Sequence, residues 1–219
     1  MLGKRICDNT NPDSVASRMR ANRFLFFDSL LSQLPEPVKI LDVGGTVEYW
    51  QSFKDCLHRK VYVTLFNLEK IEVDLPWVNS IQGDIRDMTN CENNKYDVVF
   101  SNSMIEHLGS FGDQNIAANN IRRVGRRYFI QTPDYYFPIE PHFVFPFFHY
   151  LPVSLRVCLL RHFDLGWIPK ETDPDKARQI ISSIRLLKLN EIKALFPEAT
   201  IYKEKILGLT KSLTAYYWQ

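Results

Sequence analysis

Four short apolar segments of the sequence end in polar residues whose types suit a ligand site. These ends are Asp42-Val43-Gly44-Gly45, Asn67-Leu68-Glu69, Gly83-Asp84-Ile85 and the run SNSMIEH at 101–107. Glycines after a strand allow backbone N–H groups to approach a ligand closely, and an acidic residue after the next strand can accept hydrogen bonds from ribose hydroxyls. The four segment ends therefore predict a site of the kind that holds a dinucleotide or a nucleoside.

The segments that carry these residues have the length and composition of strands. Helical patterns lie between several of them, notably at 113–124, and another precedes them at 18–34, where Pro35 and Pro37 stop it. Alternation of this kind predicts a parallel sheet with helices on both faces. The predicted strands are VKILDV (38–43), KVYVTLF (60–66), SIQGD (80–84), YDVVFSN (96–102) and RYFIQTP (127–133).

The end of the chain predicts one more helix and two more strands. LNEIKALFPEA is amphipathic, and TIYKEKILG and KSLTAYYW are joined through Gly208, which favours an antiparallel pair at the sheet edge. The predicted fold is an α/β, Rossmann-like, doubly wound and mostly parallel seven-stranded sheet with an antiparallel C-terminal edge strand. Because ligands of such sheets bind outside the carboxyl ends of the strands, we expect the four polar ends to share one site.

Composition and charge argue against several other classes of protein. The 219 residues are 45% hydrophobic, enough for one domain with a sizeable core. The 27 basic and 25 acidic residues give a net charge of +2, so no nucleic-acid partner is expected, and the basic run at 122–127 is expected to be a helix C-terminus ended by Gly125. No signal peptide or apolar run of about 18 residues occurs, which predicts a cytoplasmic protein without a transmembrane segment.

The cysteines have no spacing typical of a zinc site, and no metal is expected from the sequence. They are far apart and predict reduced thiols at Cys7, Cys56, Cys91 and Cys158.

The order of these features resembles the class I S-adenosylmethionine-dependent methyltransferases, in particular their small type 11 members. An acid follows the second strand, G-D-I the third and S-N-x-M-x-E-H the fourth, and the stretch LFPEATIYKEKILGLTKSLTAYY is similar to the family's closing segment. The first family motif is commonly D-x-G-x-G-x-G, whereas this chain has DVGGTVE. One residue is missing between Gly44 and Gly45, and Val47 takes the third glycine position.

The resemblance implies S-adenosylmethionine as the methyl donor and S-adenosylhomocysteine as the product. We expect O-methylation of a hydroxyl or carboxylate on a small-molecule, glycan or peptide natural-product acceptor. The motif residues would take these roles: Asp42, Gly44 and Gly45 facing the methionine part, Glu69 the ribose, Asp84 and Ile85 the adenine, and Asn102 the sulfonium.

Two other functions stay open at this point. A Rossmann-like fold with an altered glycine loop can bind a partner without catalysis. An NAD-dependent oxidoreductase is the other alternative, but its pyrophosphate needs glycines at a helix N-terminus, where Glu48 would bring negative charge.

Two histidines are candidates for the proton transfer that a hydroxyl acceptor requires, because imidazole has a suitable pKa. His107 follows the fourth strand, and His142 lies in the aromatic segment 135–152. The alternative for His107 is a role in shaping its loop. His149 and His162 are expected to serve packing or the surface.

The segment YYFPIEPHFVFPFFHYLP at 135–152 is dense in aromatic residues and interrupted by four prolines, which exclude a long regular helix or a central strand. We expect an insertion that covers the acceptor. A hydrophobic plug and a membrane-touching surface that includes Arg156 and Arg161 are the alternatives. The expected acceptor contacts are Tyr135, Tyr136, Phe143 and Phe147.

One methyltransferase domain is expected over 1–219. Its predicted parts are an N-terminal helical segment (1–36), a cofactor-binding core (38–133), an acceptor-site insertion (135–185) and a closing helix with edge strands (187–219).

Overall fold

A computed structural model describes residue 11 and residues 14–219, and a seven-stranded sheet forms its centre. The strand order is β3-β2-β1-β4-β5-β9-β8. Strands β1 to β5 are parallel, β9 is antiparallel to β5, and β8 is antiparallel to β9 and forms the edge. The seven strands are β1 (Val38–Val43), β2 (Val61–Asn67), β3 (Val78–Gln82), β4 (Tyr96–Asn102), β5 (Gly125–Pro133), β8 (Thr200–Ile206) and β9 (Leu209–Tyr217).

This architecture confirms the predicted fold class and all seven predicted strands. The topological switch point lies between β1 and β4, because β2 and β3 follow on one side of β1 while β4 and β5 follow on the other. Gly83 and Asp84 lie in the turn after β3 instead of in the strand, and β5 begins at Gly125, which ends the preceding helix as expected.

Helices cover both faces of the sheet. They are α1 (Val15–Leu31), α2 (Val47–Phe53), α3 (Phe111–Val124), α4 (Val153–His162), α5 (Pro174–Ser183) and α6 (Leu189–Leu195), with short 3-10 turns at Lys54–Cys56, Ile105–Leu108 and Phe148–Tyr150. Aromatic residues of α1 and α2, such as Phe27 and Trp50, pack on one face with Ile40. Residues of α3 and α6, such as Ile121, pack on the other face with Leu41. Because successive strand residues point to opposite faces, the central strands are apolar on both sides.

The chain between β5 and α6 forms an insertion with its own small core. It contains α4, α5 and the two-residue strands β6 (Ile139–Glu140) and β7 (Phe145–Pro146). Its buried apolar residues are Phe143, Phe148, Val157, Leu160, Leu165, Ala177 and Ile181. Gly166 is needed here, since its φ is +57° and an added Cβ would lie 2.5 Å from the backbone oxygen of Phe143. The insertion therefore has apolar packing separate from the two faces of the sheet.

Three of the cysteines, Cys56, Cys91 and Cys158, are free thiols. Cys7 lies outside the described residues.

Candidate functional site

A cleft of about 330 Å³ lies at the carboxyl ends of β1, β2 and β3. Parallel pairing places Val43 beside Phe66 and Asn67 beside Gln82, so the three strands end at nearly the same level. The turn after β4 closes the remaining side. The lining residues are Val43, Gly44, Phe66, Asn67, Leu68, Gly83, Asp84, Ile85, Arg86, Met104, His107 and Leu108.

The turn from β1 into α2 requires both of its glycines. Gly44 has a φ of +79°, and an added Cβ would lie 2.6 Å from Cγ of Met104. An added Cβ on Gly45 would lie 1.9 Å from Oδ2 of Asp42. Thr46 then begins α2, because its Oγ1 accepts a hydrogen bond from the backbone N–H of Tyr49 at 3.3 Å. A helix cap, and no third glycine, therefore completes this short loop.

Asp42 lies beneath the glycine turn and is almost completely buried. Its Oδ2 accepts a hydrogen bond from Nε1 of Trp50 at 2.7 Å, whereas Oδ1 has no partner among the described residues. Burial raises the pKa of Asp42 to about 7, although the Trp50 hydrogen bond acts in the opposite direction. Asp42 supports the turn from below, and it is not among the residues on the cleft wall.

A second cavity of about 190 Å³ lies between α1, the ends of β4 and β5, the insertion and the start of β9. Arg23 of α1 pairs with the buried Glu204 at 2.5 Å and donates another hydrogen bond to Oδ1 of Asn102. Asn102 is therefore held on this cavity. The lining residues are Ala16, Arg20, Arg23, Asn102, Ser103, Gln131, Pro133, Phe137, Ile139, Pro141, His142, Trp167, Lys211 and Ser212.

Two histidines connect the cleft and the second cavity. Nε2 of His107, on the cleft wall, lies 3.0 Å from Nε2 of His142, on the wall of the second cavity. Nδ1 of His142 lies 2.6 Å from Oε1 of Glu140, which is buried. The two residues that the sequence singled out as catalytic candidates are thus neighbours, and their carboxylate partner completes a Glu–His–His series.

A second buried carboxylate lies next to this pair. Oε2 of Glu106 accepts a hydrogen bond from Oγ1 of Thr132 at 2.8 Å, and Oε1 has no partner among the described residues. Burial raises the pKa of Glu106 to about 7, although the charge of His142 lowers it in part.

The two imidazoles differ in their affinity for a proton. Partial removal from water, followed by the positive charge of His142, lowers the pKa of His107 to about 4. Desolvation acts to lower the pKa of His142, but its hydrogen bond with Glu140 and the charge of that carboxylate outweigh this effect and raise it. Of the two rings, His142 holds a proton more strongly.

Residues 41–128 match the family described as the methyltransferase domain. This matched segment contains the glycine turn, the cleft and His107. Over these residues the chain is similar to a methyltransferase domain. No curated protein matches the sequence.

Solved methyltransferase structures share the fold of this domain at low sequence identity. An O-methyltransferase family protein from Burkholderia thailandensis has a TM-score of 0.51 and 11% identity, over 91% of this chain and 57% of that chain. The CurJ carbon methyltransferase has a TM-score of 0.58 and 13% identity, over 93% of this chain and 55% of that chain. A SAM-dependent methyltransferase from Aquifex aeolicus has a TM-score of 0.50 and 12% identity, over 91% of each chain. The chain thus spans little more than half the length of the first two proteins.

None of the helices among the described residues combines the length and the hydropathy needed to cross a bilayer.

Only some of the predicted cofactor-binding residues lie on the wall of the cleft. Gly44, Asp84 and Ile85 lie on the cleft wall. Glu69 is exposed and is not among the lining residues, because β2 ends at Asn67 and the chain then turns outward. Asn67 is on the wall instead, and its side-chain amide donates a hydrogen bond to the backbone oxygen of Gly45 at 3.0 Å. The roles assigned to these residues by resemblance stay predictions.

Asp84 is held by a neighbouring cation at the rim of the cleft. Arg86 donates hydrogen bonds to both carboxylate oxygens, with Nη2 lying 2.6 Å from Oδ2, and these bonds lower the pKa of Asp84. A ligand that contacts Asp84 must therefore share it with Arg86.

Asn67→Ala is expected to weaken S-adenosylhomocysteine binding by about 0.5–1.5 kcal/mol, the usual range for one neutral hydrogen bond, whereas Glu69→Ala should change it less. The reason is that Asn67 lines the cleft and steadies the glycine turn, while Glu69 lies outside. Isothermal calorimetry on the two variants is the measurement. A larger loss in Glu69→Ala would restore the ribose role that the sequence predicted for the acid.

None of the four predicted acceptor contacts lines the cleft or the second cavity, whereas Tyr135 and Phe143 line a further cavity of about 290 Å³. Their role as acceptor contacts stays a prediction. Phe143 packs in the core of the insertion, where its ring centroid is 4.3 Å from that of Phe148. Tyr136 and Phe147 are exposed, and the Tyr135 backbone bonds to Leu187. From the same insertion, Phe137, Ile139, Pro141, His142 and Trp167 line the second cavity.

Three residues of the site received no role from the sequence, although Glu106 lies within the S-N-x-M-x-E-H motif. Glu106 and Glu140 precede His107 and His142 by one and two positions, and an acid so close to a histidine is the only local indication of their role. Arg23 has no such indication, since its partner Glu204 lies 181 residues further along the chain.

Proposed function

We propose that the chain is an S-adenosylmethionine-dependent methyltransferase that methylates an oxygen atom, either a hydroxyl or a carboxylate, of a small-molecule, glycan or peptide natural-product acceptor. The observation that carries this proposal is the contact between the two cavities at His107 and His142. A donor in the cleft and an acceptor in the second cavity would meet beside two imidazoles.

The cleft suits S-adenosylmethionine better than a dinucleotide. Gly44 and Gly45 would lie beside the methionine part, Asn67 beside the ribose, and Asp84 with Ile85 beside the adenine. The N-terminus of α2, where a pyrophosphate would need positive charge, carries Glu48 in its first turn. S-adenosylmethionine supplies a methyl group already activated by positively charged sulfur, so the protein's task is to align the acceptor and exclude water.

The second cavity suits an acceptor with an apolar body and a polar or acidic group. Phe137, Ile139 and Trp167 provide apolar surface, while Arg20 and Lys211 add positive charge at its wall. Oxygen is the favoured acceptor atom because a hydroxyl must lose its proton, and histidine beside a carboxylate suits that step. His107 and His142 are therefore proposed to act at the acceptor oxygen.

Calorimetry with two ligands tests the cofactor assignment. We expect saturable binding of S-adenosylhomocysteine and no comparable binding of NAD. Preference for NAD would favour an oxidoreductase, and binding of neither ligand would favour a non-catalytic protein. Transfer of labelled methyl from S-adenosylmethionine to matched hydroxyl, carboxylate and carbon acceptors then tests the atom. Transfer only to carbon would contradict O-methylation.

A further inference from the structure

The structure assigns a divalent metal site to Glu106, His107 and His142, with the metal bound at the boundary of the two cavities. One ligand atom of each side chain lies within 4.8 Å of the other two, and the two imidazole Nε2 atoms are 3.0 Å apart. We propose that these two nitrogens and Oε1 of Glu106 bind one cation. Two imidazoles and one carboxylate suit Zn²⁺, Fe²⁺, Mn²⁺ or Co²⁺, whereas Mg²⁺ prefers oxygen ligands alone.

The two rings are oriented for a shared ion. Their planes are nearly perpendicular, at 89°, and their Nε2 atoms are the ring atoms that approach each other. Without an ion, one Nε2 must be protonated and donate a hydrogen bond that the other Nε2 accepts. With an ion, both nitrogen lone pairs point at the metal. The 3.0 Å separation is close to the distance between neighbouring ligands when each metal–nitrogen bond is about 2.0–2.1 Å.

The carboxylate adds the observation that hydrogen bonding between the histidines does not explain. Glu106 has 0% of its surface exposed, yet Oε1 has no partner among the described residues. A buried carboxylate oxygen without a donor is costly, and a cation supplies the missing partner. Thr132 occupies only the other oxygen, Oε2.

The surrounding groups hold the ligands as metal sites commonly require. Metal-bound histidines usually pass their other ring N–H to a carboxylate, and Nδ1 of His142 makes that contact with Glu140 at 2.6 Å. Glu140 is itself fixed by the backbone N–H of Phe143 at 2.7 Å. The turn that carries Glu106 and His107 is held by the backbone N–H of Arg185, which donates to the backbone carbonyl oxygen of Glu106 at 2.7 Å.

Three protein ligands leave positions for a substrate oxygen, and His107 is exposed enough for an ion to enter. The catalytic use of the metal rests on the proposed function, whereas metal binding itself does not. In that use a metal held by Glu106, His107 and His142 would act as a Lewis acid that lowers the pKa of the acceptor hydroxyl, whose proton would leave to water. The oxygen then forms the O–CH₃ bond while the S–CH₃ electron pair remains on sulfur, which leaves neutral S-adenosylhomocysteine. This proposal departs from the expectation of no metal drawn from the sequence.

Metal binding is tested on the full chain after its metal content has been measured and removed with a chelator. Titration with Co²⁺ should show one saturable site by calorimetry, with a visible absorption band that Zn²⁺ displaces. Glu106→Gln and His142→Gln should each raise the Kd for Co²⁺ by about tenfold or more, since changes to the groups that merely orient ligands already cost 10- to 100-fold. His58→Gln is the matched control, because His58 also pairs with a carboxylate, Asp28, at 2.6 Å and should not alter binding.

Absence of saturable Co²⁺ binding by the wild-type chain would overturn the proposal, as would unchanged binding in both ligand variants. If the variants do not fold, imidazole NMR signals of the wild-type chain decide: Zn²⁺ should shift those of His107 and His142 and leave His58 unchanged. S-adenosylhomocysteine binding separates the two proposals. If the chain binds S-adenosylhomocysteine but no metal, only the proposed function is supported. If it binds metal but no S-adenosylhomocysteine, only the metal site is supported.

Discussion

His142→Gln is expected to reduce turnover by about 10²- to 10⁴-fold, the contribution of a positioned group that acts on an acceptor proton. Affinity for S-adenosylhomocysteine should stay close to that of the wild type, because His142 lines the second cavity and is not on the cleft wall. Glutamine preserves a donor for the buried Glu140 and so protects folding. Saturation kinetics with labelled S-adenosylmethionine, together with calorimetry, provide the measurement. Direct proton transfer and metal ligation both predict this loss.

The control is His162→Gln, at an exposed position in α4 of the same insertion, where turnover should not change. Melting temperatures of both variants separate a catalytic loss from unfolding. Near-normal turnover in a folded His142→Gln would mean that the acceptor oxygen needs neither a base nor a metal. A carboxylate acceptor, which is already ionised, would then be favoured over a hydroxyl.

Phe143→Ala is expected to lower the free energy of unfolding by about 3–5 kcal/mol, as truncation of a buried phenylalanine does. Phe143 is 2% exposed and packs on Phe148 within the insertion, so its removal leaves a cavity. Urea denaturation of the unliganded chain provides the measurement. This result would establish the residue as part of a core, in contrast to the acceptor contact that the sequence predicted.

Phe147→Ala is the matched control, because it makes the same change four positions after Phe143. Phe147 is 58% exposed, so the free energy of unfolding should change by about 0.5 kcal/mol or less. If Phe143→Ala instead keeps the free energy of unfolding and raises the KM for the acceptor, Phe143 is not a core residue of the insertion. The acceptor contact expected from the sequence would then be supported.

The strands and their mostly parallel pairing could be predicted because their causes are local. β-branched and aromatic runs bounded by turn residues indicate strands, and the alternation with helices indicates parallel pairing. The glycine turn could also be predicted, because adjacent glycines after a strand indicate a turn. Gly44 does adopt a positive φ, which other residues rarely tolerate. The strand ends lie within two residues of their predicted positions, whereas the first helix lies three residues earlier than predicted and the last helix ends four residues earlier.

Which strand-end side chains face the cleft could not be predicted from the same pattern. Glu69 was expected there, but it lies two residues beyond the end of β2 and does not line the cleft. Asn67, the last residue of β2, lines the cleft instead. Asn102 was expected beside the cofactor, yet a hydrogen bond from Arg23, 79 residues away in the chain, holds it on the second cavity. The predicted end of β4 at Asn102 was correct, so the position of this side chain follows from its partner on a distant helix, which no local pattern indicates.

The sequence by itself determined the α/β sheet, the glycine turn and the identity of the two histidines. Only the tertiary structure brought His107 within 3.0 Å of His142 and supplied Glu106 and Glu140 as their neighbours. The physical reason is that periodicity and turn chemistry act over a few residues. The contact between a turn after β4 and an insertion after β5 depends instead on how separate parts of the chain pack together, and no local pattern encodes that distance.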